Sequence, residues 1–447
     1  MHIDAHGLPV TLASAEAAAG YDAAIAAYMA YRQDTPAKLK AFVALDPEAP
    51  FAAILRGSFA MLTYHAGALP SARKSAAAAL AAGGTPRERA HAAALQAWTG
   101  DDSDQALAIW ELILAEHPTD ALAFRLHHFV AFWLGRGPQM AAAVERTAPH
   151  WNSELAHWPS WLACRCFAFE EVGRYTEAEA AGRLAVDLVP SDVWAAHGVA
   201  HVLEMQGRRS EGISWLTALE PNWEQANSIR HHLLWHRALY HFEHGDTAEV
   251  LGLYDRGFRD LSSPMIQALP DMFVDVQNAA SMLFRLGLQG VDVGDRWVEL
   301  ADKAEARLGD TQSAFTLPHW MMALGATGRF QQAAQMLDAV AEAARGTGTH
   351  ARILARSGLP ACRATLHHAR GEYAEAVAAM RPALSTMGEL GGSHAQQSVL
   401  EMLFLDSAMK AGLTVEARAL LERAAGRCPV PPERRAIYRH HAGQVAH

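Results

Sequence analysis

Glycine recurs along this 447-residue chain at intervals that suit a stack of helical hairpins and little else. The series is Gly20, Gly57, Gly100, Gly135, Gly173, Gly207, Gly245, Gly287, Gly328, Gly371 and Gly412, with Gly57 fitting least clearly; from Gly100 onward the steps run from 34 to 43 residues. The best-formed copy reads Gly173-Arg-Tyr-Thr-Glu-Ala-Glu-Ala, then Ala185 and Pro190, with the next turn glycine at Gly207. Each feature has a cause: glycine takes the left-handed conformation that ends a helix, alanine lets two helices approach, and proline cannot continue one. Period-two runs rich in Val, Ile and Thr are scarce, so an extensive sheet is not expected.

The 34 residues from Gly173 to Gly207 match the period of the tetratricopeptide repeat. The chain is therefore expected to be all-α, a tetratricopeptide-like α-solenoid of about eleven hairpins with longer hairpins in its second half. Residues 1–428 read as one continuous array, and 429–447, opening Pro-Val-Pro-Pro, as a C-terminal cap or tail. Lys plus Arg is 38 against 48 Asp plus Glu, which argues against a nucleic-acid partner. The longest apolar run, Ala76–Ala82, is too short to span a bilayer. With no signal peptide and four cysteines in no disulfide pattern, the expected compartment is the cytoplasm. Cys164 and Cys166 diverge on a helix and read as core residues.

The stretch Val189–Gly207 places Trp194, His197, His201 and Glu204 at spacings of three, four and three, which is one stripe of a helix. With the turn glycine counted as repeat position 15, these four take positions 2, 5, 9 and 12, the concave face, while Val199, Ala200 and Leu203 pack. The same count from Gly245 puts His232, Trp235 and His236 on that face. From Gly287 it selects Gln277 and Asn278, with Asp275 just off the groove, and from Gly328 it selects His319. His128 falls at a packing position counted from Gly135. Stacked helices should bring His197, His201, Glu204, His232, Trp235 and His236 together. Two irregular stretches, 149–161 with three Trp and two His, and 390–397, interrupt the rhythm.

In this register several segments resemble the tetratricopeptide repeat protein 38 family. They are His117-Pro-Thr-Asp120, Trp194-Ala-Ala-His-Gly-Val-Ala-His-Val-Leu-Glu-Met205, Trp235-His-Arg-Ala-Leu-Tyr240, Ser281-Met-Leu-Phe-Arg-Leu286, Gly358-Leu-Pro-Ala-Cys362 and Leu390-Gly-Gly-Ser-His-Ala-Gln396. They follow in the same order over roughly residues 20–425. The resemblance implies an all-helical repeat protein acting as one unit, and no particular reaction. It also implies a shared polar set here of His128, His197, His201, Glu204, His232, Trp235, His236, Asp275, His319 and Gln396. His231, Leu233, Leu234 and His241 depart from the family pattern.

The leading expectation is a small molecule bound in a concave His/Trp/Glu site. His197, His201 and Glu204 would be the catalytic set if the protein is an enzyme, and Trp194, His232, Trp235, His236, His319 and Gln396 the binding set. One alternative is a groove for a peptide or partner protein. A second is a metal-dependent hydrolase resting on the i, i+4 pair His197 and His201. Position 198 is Gly, so the general base of an H-E-x-x-H motif is missing, and no metal ligand is assigned. No phosphate loop, nucleophile elbow or dinucleotide fingerprint identifies a cofactor. An open groove would suit a peptide, and a pocket roofed by a loop such as 149–161 would suit a small molecule. The plainer expectations are that His128 and His236 are half-buried packing histidines, that Asp275 caps a helix, and that Glu204 is a solvated carboxylate or a partner of Arg208.

Overall fold

The structure is a computed structural model, which describes residues 1–445; the last two residues of the expected tail, 446 and 447, lie outside the described residues. Eleven helical hairpins follow one another among the described residues, as the glycine spacing predicts. The first pairs Ala15–Met29 with Thr35–Leu45 and the last pairs His394–Lys410 with Thr414–Arg427. A further helix, Ala436–Val445, follows them. The only described strands are His2–Ile3 and Pro9–Val10, a two-residue antiparallel pair. The chain is all-α and built from helical repeats.

Seven of the expected turn glycines, from Gly135 to Gly412, have φ between +67° and +82°, where a Cβ is disfavoured. Four do not. Gly20, Gly57 and Gly287 lie inside the helices Ala15–Met29, Pro50–Met61 and Phe273–Leu288. At Gly57 the reason is packing, since a Cβ there would sit 2.5 Å from Leu95 Cδ2. Gly100 has φ −88° and hands the left-handed position to Asp101, φ 65°. In the hairpin assigned to Gly287, the turn residue is Gly290, φ 76°. The repeat count through that helix is therefore out by three residues.

The chain gathers into two compact units. The first holds residues 1–199 with 219–229 and 348–350. Its small residues do what the sequence suggests: Gly182 lets Cys166 Sγ and Val199 Cγ2 approach to within 2.6 Å of where its Cβ would be. The second holds 200–218, 230–347 and 351–447. There Gly212 seats the ring of Tyr240, whose hydroxyl donates to the Ala200 carbonyl at 2.6 Å. The division falls within the helix Val193–Met205, between Val199 and Ala200. All four cysteines are free and buried. No described helix is long and apolar enough to cross a membrane.

Candidate functional site

The helix Val193–Met205 begins where Asp192 accepts from the backbone N–H groups of Trp194 and Ala195, at 3.0 and 2.9 Å. Val199, Ala200 and Leu203 are fully buried, as expected of the packing face. The opposite stripe is not an open groove: Trp194 is 6 %, His197 2 % and His201 1 % exposed, and Glu204 is half-buried. Of the two forms left open, an open groove and a closed site, this burial fits the closed one.

In the second unit three histidines meet. His232 and His236 stand one turn apart on the helix Ile229–His244, and His201 comes from the helix Val193–Met205. Their ligand-capable nitrogens lie within 4.8 Å of one another, and all three side chains are buried. The rings of His201 and His236 are 4.4 Å apart at 66°, and those of His232 and His236 4.7 Å at 75°, so edges meet faces. Burial, reinforced by the neighbouring imidazoles, holds the pKa values of His201 and His236 well below the usual 6.5; burial takes His232 down to about 4. All three are neutral at pH 7, the form that ligates metals.

The surroundings orient these rings. Asn278, on the helix Phe273–Leu288, presents its Oδ1 to His232 Nδ1 at 2.8 Å. The acceptor forces the proton onto Nδ1, so the second nitrogen, Nε2, is the one that carries the lone pair. Trp235, fully buried, stacks on His232 at 5.1 Å and 12° and meets His236 edge-on at 5.0 Å. Trp235 is thus a wall that fixes two imidazoles. His236, placed in the binding set with a half-buried packing histidine as the plainer alternative, is fully buried between two other imidazoles.

Glu204 lies one turn beyond His201 and outside the histidine group. Its Oε2 is buried and, among the described residues, has no hydrogen-bond partner. Burial, and then the nearby Glu243 carboxylate, raise its pKa to about 7. Glu243 is itself engaged by Arg209 at 3.0 Å and by the backbone N–H of Ala436 at 2.8 Å. Arg208 pairs with Glu211 at 2.8 Å on the exposed side. Glu204 is therefore neither a solvated carboxylate nor set up as an ordinary ion pair.

The remaining expected residues fall elsewhere. His319 gives its Nδ1 to the Phe315 carbonyl of its own helix turn at 2.7 Å, and burial lowers its pKa to about 4. Gln396 forms a capping box with Ser393 and reaches Gln277 at 3.3 Å, which in turn donates to Thr316 Oγ1 at 2.8 Å. Both residues hold helices in place. Asp275 makes no cap; it accepts from His231 Nδ1 at 3.1 Å, a buried pair that the reading of single helices missed.

Trp194 and His197 belong to the first unit. His197 stacks on Phe167 at 5.3 Å and 20°, and Trp194 packs on Phe167 at 4.7 Å and on Tyr31 at 5.2 Å. Arg125 lies 5.2 Å from the Trp194 ring and donates to Cys164 Sγ at 2.8 Å. His128 sits among Phe124, Phe167 and Trp194, with its pKa well below 6.5 through burial; it packs, but it is buried and, among the described residues, neither ring nitrogen has the expected hydrogen bond to a neighbouring helix. The stretch 149–161 also packs in this unit. Trp151 stacks on Trp161 at 6.0 Å and donates to the Pro118 carbonyl at 2.9 Å. Residues 158–161 of the stretch already belong to the helix Trp158–Glu170, and the part before it, 151–157, is a loop packed against its aromatics.

No family model matches the chain. Among solved structures the chain is similar to one from the structure of Naa15/Naa10 bound to HypK-THB, at 12 % identity and a TM-score of 0.26. The match covers 96 % of this chain and 65 % of that one, just under two thirds of its length. At that score the likeness says nothing about function.

Proposed function

We propose that this protein is a helical-repeat protein that binds a divalent transition-metal ion through His201, His232 and His236. The observation that carries the reading is the meeting of three buried, neutral imidazoles with ligand nitrogens within 4.8 Å. Two nitrogens on a tetrahedral zinc at about 2.0–2.1 Å stand roughly 3.3 Å apart. The rings therefore need to close by about 1.5 Å at most, within reach of modest side-chain torsion. Asn278 and Trp235 supply the outer contacts that a metal-bound imidazole needs. The ligand at this site is thus an ion in place of the larger molecule that an open groove would take.

This reading changes the roles suggested by the sequence. Buried histidines with lowered pKa values are poor acids at neutral pH, so His201 serves as a ligand. Glu204 is the group nearby that titrates close to pH 7. We further place the chain with the tetratricopeptide repeat protein 38 family on the strength of its motifs, in the cytoplasm, with residues 429–447 as the cap of the second unit.

The test is metal content per chain on gently purified protein, by native mass spectrometry and elemental analysis, with wild type beside His236→Ala. One ion per wild-type chain, absent from a folded His236→Ala protein, is the expected result. Protein free of metal that also fails to bind added Zn2+ or Co2+ overturns the assignment and leaves a partner-binding scaffold as the reading to pursue.

A further inference from the structure

A second cluster in the same unit has the opposite character. The helix His394–Lys410, the end of Thr414–Arg427 and the C-terminal segment line a small, partly open cleft. Met205 and Cys428 form its apolar side; His394, Glu401, Arg427 and Arg435 bring polar atoms to it.

Arg435 is the anomaly. It is 9 % exposed and lines the cleft. Its guanidinium rests over the ring of Tyr438, 4.8 Å from the centroid. Among the described residues it makes no side-chain hydrogen bond and no ion pair, although it carries five N–H donors. The other cations around it are provided for. Arg209 holds Glu243 at 3.0 Å. Arg285 donates to Ala395 O at 2.9 Å, Ser398 Oγ at 2.8 Å and Ser281 O at 3.1 Å. Arg427 pairs with Glu401.

The Glu204 and Glu243 carboxylates favour the charged form of Arg435 from a distance, but among the described residues no carboxylate hydrogen-bonds to it. Glu401 accepts from the Tyr438 hydroxyl and pairs with Arg427, and Glu243 is taken by Arg209 and Ala436 N. Two further donors are left over at the cleft: Arg427 Nε and His394 Nδ1 are buried and, among the described residues, have no hydrogen-bond partner. Buried donors left without an acceptor are costly unless something outside the chain supplies one. A planar fork of donors is suited to an oxyanion.

We propose that this cleft is a binding site for a small oxyanion, the carboxylate or phosphate end of a small molecule. Arg435 is its principal ligand, and Arg427 Nε and His394 supply the flanking donors. The cleft's occupant also explains how the C-terminal segment is held, because Arg435 lies on that segment while His394 and Arg427 come from the two helices beneath it. The site is independent of the histidine cluster.

The test is calorimetric titration and thermal melting with inorganic phosphate and with sodium acetate, each against sodium chloride at equal ionic strength. Wild type should bind at least one of the two and melt higher as that anion is added. Arg435→Gln should weaken binding by at least tenfold, and His394→Ala by severalfold. Response to phosphate alone identifies a tetrahedral ligand; response to acetate identifies a carboxylate. If Arg435→Gln does not fold, His394→Ala decides, since His394 is only half-buried. Binding that persists in metal-free His236→Ala protein separates this site from the metal site. No response to either anion in wild type, or undiminished binding in a folded Arg435→Gln or His394→Ala protein, overturns the proposal.

Discussion

One helix, Val193–Met205, contributes to two regions built from similar residues that do different things. In the first unit Trp194 and His197 join Phe167, Tyr31 and Arg125 in a nest where rings stack and a guanidinium covers an indole. In the second unit His201 meets His232 and His236, with Asn278 holding one ring by its Nδ1. Both regions are buried, and both contain imidazole beside tryptophan. The difference lies in what the rings pack against: Phe167 and Tyr31 in the first region, other imidazoles and Asn278 in the second. A His-x-x-x-His spacing does not distinguish the two, because the fourth residue on the stripe can look onto a different neighbour from the first.

The largest effect expected is in the aromatic nest. Trp194→Ala removes a large buried side chain and should cost about 3–5 kcal/mol in chemical denaturation while leaving metal stoichiometry unchanged. Metal loss without destabilisation would reverse the assignment of the two regions.

Glu204 should show itself through pH. Its pKa in the folded protein is raised to about 7 from an ordinary 4.5, so its contribution to stability is fully present below about pH 4.5 and lost as pH rises through about 7. Glu204→Gln should therefore gain on wild type between pH 5 and pH 8, by about 1–3 kcal/mol. A difference that stays flat across that range would put the carboxylate in ordinary solvent.

The outer contact of the histidine cluster should matter less. Asn278→Ala leaves His232 Nδ1 without its acceptor and should weaken zinc affinity by about 10–100-fold, measured by competition with a chelator. Unaltered affinity would remove Asn278 from the site.

The smallest effect sharpens the comparison most. His197→Phe keeps the stack on Phe167, so stability should change by less than about 1.5 kcal/mol. A larger loss in chemical denaturation would mean that His197 does more than stack on Phe167.

Much of this was legible in the chain. The glycine spacing predicted eleven hairpins, and eleven are present. The stripe rule correctly put Val199, Ala200 and Leu203 in the packing and drew His201, His232, Trp235 and His236 into one neighbourhood. Where the rule went wrong, the reason was local: Gly287 looks like a turn glycine but is helical, because Gly290 three residues later takes the left-handed position. Gln396 and His319 matched a motif, yet their polar atoms are spent on a helix cap and a helix carbonyl.

The sequence by itself determined the elements of this protein: which residues are helical, where most hairpins turn, and which face of each helix is apolar. Those properties depend on residues a few positions apart, so periodicity reveals them. Only the tertiary structure decided what the polar stripe meets. Glu243 binds the backbone of Ala436, 193 residues away, and Arg285 binds Ala395, 110 residues away. Asn278 reaches His232 across 46 residues. Contacts of that range follow from how helices cross and from where the C-terminal segment lies, and no local pattern encodes them. That is why the chain announced its histidines and left Arg435 unremarked, and why only the folded molecule shows a buried cation without a partner among the described residues.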